Sequence, residues 1–143
     1  MGGYGYRMNP IVFLGVVLAC AGSSDTAGTD LRSPCADEAR AVDVSSGPRL
    51  QGDGLAATLE SASPVPPSAA VGNAWRVALD PMPTEAPSVE LAMPDHGHGA
   101  PDGEAVLVDG VVEVTVDFTM PGYWEVRLET VDGSVVLPVC AEP

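Results

Sequence analysis

The residues best equipped for chemistry fall in one short run, Met93-Pro94-Asp95-His96-Gly97-His98-Gly99, which holds both histidines of the 143-residue chain. Imidazole titrates near neutrality and ligates several transition metals. Residues two apart on an extended strand face the same side, and Gly97 takes bulk from between the rings, so His96 and His98 are candidate ligands for one cation. Met93 and Met120 are candidate thioether donors beside them. Copper is the metal this set suits, because imidazole serves both of its oxidation states and a thioether favours Cu(I). A structural role competes: Met93 is in phase with Val89 and Leu91, and a Gly-His-Gly run can be a tight turn whose rings bond backbone or cover a tryptophan edge. Enzymatic chemistry lacks its parts. No Gly-x-Ser-x-Gly elbow occurs and no serine is evidently placed beside the histidines, so no catalytic residues are expected. A blue-copper site would need a cysteine ligand, and Cys140 is the one candidate near that end.

The elements that must position this run read as an all-β domain. From Leu55 onward the chain alternates apolar and polar residues with a period of two. Seven strands are expected: Leu55–Ser61, Asn73–Asp80, a third carrying Val89, Leu91 and Met93, Glu104–Val108, Val111–Phe118, Tyr123–Thr130 and Val135–Val139. Asp109-Gly110 predicts a type I′ hairpin. Pro138 makes the last strand an edge. Trp75 and Trp124 are expected to fill the interior. Seven short strands with regular turns suit an immunoglobulin-like antiparallel β-sandwich, although the antibody Cys-Trp-Cys core is missing. If successive strands alternate in direction, the connections Ala62–Gly72, Pro94–Asp102 and Thr119–Gly122 share one end, and Met93, His96, His98 and Met120 converge there. Met120-Pro121-Gly122-Tyr123 fits a type II turn at that rim.

Residues 1–19 carry a basic Arg7, an apolar run from Ile11 to Ala19 too short to span a bilayer, and Val17-Leu18-Ala19 before Cys20, and so resemble a bacterial lipoprotein signal with its lipobox. The resemblance implies cleavage before Cys20 and lipidation of its thiol, hence a stable membrane anchor outside the cytoplasm. Ala21 and Gly22, with no aspartate directly after Cys20, resemble the lipoprotein pattern for outer-membrane sorting. A plain secretory site is the alternative. Residues 20–49 then hold the lipidated cysteine, a flexible tether and a short helix: the tether, Ala21 to Ser33, is rich in Gly, Ser, Thr and Asp, with a reach of about 20 Å. Ser33 could cap a short helix with Pro34 at its first position, Asp37 and Glu38 at the positive end and Arg40 at the negative end. Ser45 to Gly54 reads as a loop into the domain at residues 50–143. With Cys20 lipidated, Cys35 and Cys140 form an even pair in an oxidising compartment, so a disulfide is expected rather than two thiolate ligands.

Charge narrows the partners. The chain carries a net −14, with six arginines, no lysine and 20 acidic residues, and loss of Arg7 with the signal brings it to −15. Nucleic acid and anionic headgroups are repelled. The acids form no block and no Asp-x-Asp-x-Asp-Gly calcium loop.

Three runs taken together, Asn73-Ala74-Trp75 after a proline-rich stretch, Met93-Pro94-Asp95-His96-Gly97-His98-Gly99, and Phe118-Thr119-Met120-Pro121-Gly122-Tyr123-Trp124-Glu125-Val126, resemble the FixH-like and YtkA-like family of extracytoplasmic domains over about Leu50 to Cys140. The resemblance implies an immunoglobulin-like sandwich and, for some members, association with cation transport or copper-dependent oxidase assembly. The membrane-spanning helix of the FixH branch is replaced here by the expected lipid anchor. The expected function is a monomeric, non-enzymatic envelope lipoprotein with copper or another cation at His96 and His98. The alternative is a protein-interaction module, its partner an envelope protein, in which the His-Gly-His loop is structural.

Overall fold

The computed structural model describes residues 32–143, and the expected signal, Cys20 and most of the tether lie outside them. The described chain is an all-β sandwich of two antiparallel sheets. Nine strands run β1 (Arg49–Gln51), β2 (Ala56–Ser63), β3 (Asn73–Asp80), β4 (Ser88–Met93), β5 (His98–Gly99), β6 (Glu104–Val108), β7 (Val111–Val116), β8 (Gly122–Thr130) and β9 (Gly133–Ala141). The first sheet has the order β1-β2-β3-β7-β6 and the second β5-β4-β8-β9. All seven expected strands are present. β1 and β5, read as loop, are added by pairing with β2 and β4.

Alternation makes the layers. Trp75, Val77 and Leu79 of β3, and Val112, Val114 and Val116 of β7, face Val89 and Leu91 of β4 and Trp124, Val126 and Leu128 of β8 across one core. Each fully buried aliphatic contributes about 1.5–3 kcal/mol. The Asp109-Gly110 turn has the expected positive φ angles, 49° and 81°. Pro138 lies on β9, an edge as expected.

Register decides which connections meet. Asn73 at the start of β3 lies opposite Val116 at the end of β7, and Ala92 near the end of β4 lies opposite Glu125 near the start of β8. The connections after β2, β4 and β7 therefore gather at one pole. Asn73, fully buried, ties two of them together: its side-chain amide donates to the Ser68, Val71 and Val116 carbonyls, and its oxygen accepts the Ser68 N–H.

The short helix expected near Ser33 does not form. Ser33 still accepts a hydrogen bond from the Cys35 N–H, but the segment makes two successive turns, Ala36 N–H to Ser33 O and Glu38 N–H to Cys35 O. So few residues cannot offset helix nucleation, and Arg40 finds better partners across the fold. Cys35 and Cys140 form the expected disulfide, with Cα atoms 5.6 Å apart, which removes both as thiolate ligands. It closes a loop of 105 residues, so replacing both cysteines with serine should cost about 4–5 kcal/mol in the chain-entropy model, read as a lower urea midpoint with an m-value no smaller, because the freed denatured chain exposes more surface; a loss below about 1 kcal/mol would overturn that account.

Candidate functional site

The histidine loop is built differently from an extended run. Pro94–His96 form a single 3₁₀ turn, Gly97 closes it at φ 66°, and His98 opens β5. Glycine is required at 97 by that left-handed backbone rather than for room between the rings, since a methyl there would meet nothing within 4 Å. Both imidazoles are exposed, with centroids 5.8 Å apart and planes inclined at 61°. His98 Nδ1 lies 3.2 Å from the Gly99 carbonyl oxygen. A carbonyl only accepts, so this contact places the proton on Nδ1 and leaves the Nε2 lone pair free.

The four expected site residues divide. His96 and His98 are brought together. Met93 is 2% exposed and belongs to the core, as its phase with Val89 and Leu91 allows. Its methyl lies over Gly122, where an added Cβ would come within 2.7 Å of it. Met120 is half-buried against the core at the same pole, and its carbonyl accepts the Trp124 Nε1–H at 3.0 Å. Gly122 has the expected positive φ, 129°, as the first residue of β8. Among the described residues, no three His, Cys, Asp or Glu side chains are grouped to hold a metal ion.

Arg40, expected at a helix end, instead organises the pole. Its guanidinium reaches both Asp95 oxygens at 2.9 and 2.6 Å, grips Glu38 at 2.8 and 2.7 Å, and stacks 3.9 Å over the Tyr123 ring. The segment behind the disulfide is thereby pinned to the residue next to His96. No local spacing signals a pair 55 positions apart. The Arg40 hydrogen bonds hold the Glu38 and Asp95 carboxyls below their ordinary range, and burial pushes the Tyr123 phenol up. Asp95 is thus paired with Arg40.

Comparisons with family models, curated proteins and solved structures return no match for this chain. Among the described residues no helix is long and apolar enough to cross a membrane.

A carboxylate with a lowered folded pKa adds stability above its ordinary pKa, and that stability is lost as pH falls through the folded value. Arg40→Ala should therefore return the Glu38 and Asp95 titrations upward to the ordinary carboxylate range in carbon-detected NMR and flatten the acid limb of the stability profile. Unmoved titrations would show that Arg40 is not their partner in solution.

Proposed function

We propose that the chain is a lipid-anchored, extracytoplasmic, non-enzymatic domain that holds copper or a similar cation between His96 and His98. The observation that carries this reading is the pair of exposed rings with centroids 5.8 Å apart. Metal–imidazole bonds of about 2 Å leave centroids roughly 5 to 6.5 Å apart around one ion, so the rings fit a shared cation. The free Nε2 of His98, backed by its contact to Gly99 O, adds support. Two imidazoles with no third His, Cys, Asp or Glu grouped beside them among the described residues suit exchange more than permanent storage. Met93 is left out of the donor set by its burial, and Met120 is retained only as a pole residue with a thioether.

The partition of strands supports the immunoglobulin-like reading. Without the short β1 and β5, the sheets are β2-β3-β7-β6 and β4-β8-β9, four strands against three in the order that constant-type immunoglobulin domains use. That agrees with what the FixH-like and YtkA-like resemblance implies. The interaction-module alternative has its own support in the lack, among the described residues, of a third His, Cys, Asp or Glu grouped with the two imidazoles.

Copper titration of the full chain in nonionic detergent should give one bound ion per chain. His96→Ala combined with His98→Ala should abolish it, and Met93→Leu should leave it within about twofold, as expected of a core exchange that removes no ligand. Retained binding in the double histidine variant would refute the site. Separately, Cys20→Ser should move the chain from the membrane to the soluble fraction with loss of the acyl mass; unchanged membrane association would refute the anchor.

A further inference from the structure

A sheet edge is a row of unpaired N–H and C=O groups, and proteins usually shorten it, cover it or load it with proline and charge. The edges of this sandwich are not treated alike. β1 has three residues and β5 two. β9 is long but carries Pro138, and neighbouring chain covers it: the Val42 N–H donates to the Pro138 carbonyl, and Asp53 and Ser134 exchange backbone hydrogen bonds at 2.8 Å each. β6 differs. It pairs with β7 on one side, and no strand, bridge or loop hydrogen bond among the described residues meets its other side. Its sequence, Glu-Ala-Val-Leu-Val, has no proline and no basic residue, and its register with β7 runs without a bulge.

The register also says which groups are free. Val108 and Val111 flank the two-residue turn and form a hydrogen-bonded pair, so Val108, Val106 and Glu104 direct their backbone groups to β7. Ala105 and Leu107 direct theirs outward. Val106 is 57% exposed on the outer face.

Charge selects the occupant. A groove at the start of β6 is lined by Asp102, Glu104 and Asp117 with Thr115 and Thr119, and no arginine lines it. The nearby Glu113 is already paired with Arg76 at 2.7 Å. A second copy would bring the same acids against themselves in a chain of net charge −14. The chain's own residues 21–30 contain two aspartates and no base. We propose that β6 is an open docking edge that takes an extended, cationic peptide segment of another protein as an added strand. Main-chain hydrogen bonds run to Ala105 and Leu107, apolar side chains cover Val106, and basic side chains enter the acidic groove. This stands independently of cation binding at the histidines.

The test uses the full chain in nonionic detergent and the end-capped probe peptide Arg-Val-Arg-Val-Arg-Val-Arg. Fluorescence anisotropy should show saturable binding that weakens with salt, and amide exchange should slow at Ala105 and Leu107. Ala105→Pro deletes an outward donor and spares the β7 ladder, and should weaken binding about tenfold, the order expected for a lost main-chain hydrogen bond. Val106→Lys should weaken it at least as much by charge, and serves should the proline variant fail to fold. Alternate backbone N-methylation of the peptide, or glutamate in place of its arginines, should abolish binding; the double histidine-to-alanine variant should retain it. Absence of binding, equal binding of the N-methylated peptide, or exchange protection at another edge would overturn the proposal. So would a concentration-dependent dimer with Ala105 and Leu107 protected before peptide is added, which would make a second copy the occupant.

Discussion

The contact on which the pole depends is the aromatic row Trp75, Phe118 and Trp124, with centroids 6.2 Å and 5.5 Å apart in sequence along the row. Trp75 belongs to one sheet and Trp124 to the other. Phe118 sits between them on the segment by which the chain leaves β7 for β8. Burying three such rings supplies several kcal/mol, and tilted ring pairs add about 0.5–1.5 kcal/mol each. The row fixes the separation of the sheets where the connections gather, and it fixes the path of Thr119–Pro121. Trp124 completes the arrangement through its hydrogen bond to the Met120 carbonyl. Trp75 Nε1, by contrast, is buried without a partner among the described residues. An unmet donor costs about 1–3 kcal/mol, so packing of the indole outweighs the needs of its N–H.

Everything at the pole leans on that row. Met93 packs over Gly122, directly before Tyr123 and Trp124, and Tyr123 lies opposite Cys140 in the β8–β9 register. The disulfide therefore sets Cys35 beside Tyr123, and Arg40 covers the phenol ring. The segment from Cys35 to Arg40 is thereby held at the pole that carries the histidines.

What was legible in the sequence follows from range. A period of two survives in Trp75-Val77-Leu79 and Val112-Val114-Val116 because each strand buries one face, so β3 and β7 could be read residue by residue. Cysteine arithmetic gave the disulfide, and Asp109-Gly110 gave its turn. The failures are tertiary. β1 and β5 are strands only because β2 and β4 lie beside them. Ser33–Arg40 has good capping chemistry but is too short to be helical alone, and Arg40 gains more from Glu38, Asp95 and Tyr123 than from a helix end. Met93 was ambiguous in principle: period two placed it inward with Leu91, while its position beside the histidine run suggested a donor. Burial is the stronger constraint for a side chain in phase with a core strand.

The chain runs from the histidine loop straight into the open edge, which raises the question of whether the two surfaces act as one. The crossing between sheets is held at both ends. The Ala100 N–H bonds the Leu91 carbonyl at 3.3 Å, keeping the exit of β5 against β4, and Gly103 is packed between the Val89 and Val116 side chains. A shift of the rings at His96 and His98 would have to displace core valines before it reached Glu104. Packed interiors resist such displacement, so a cation at the imidazoles and a strand on β6 should bind without mutual effect. The pole and the edge are then separate surfaces on one rigid frame.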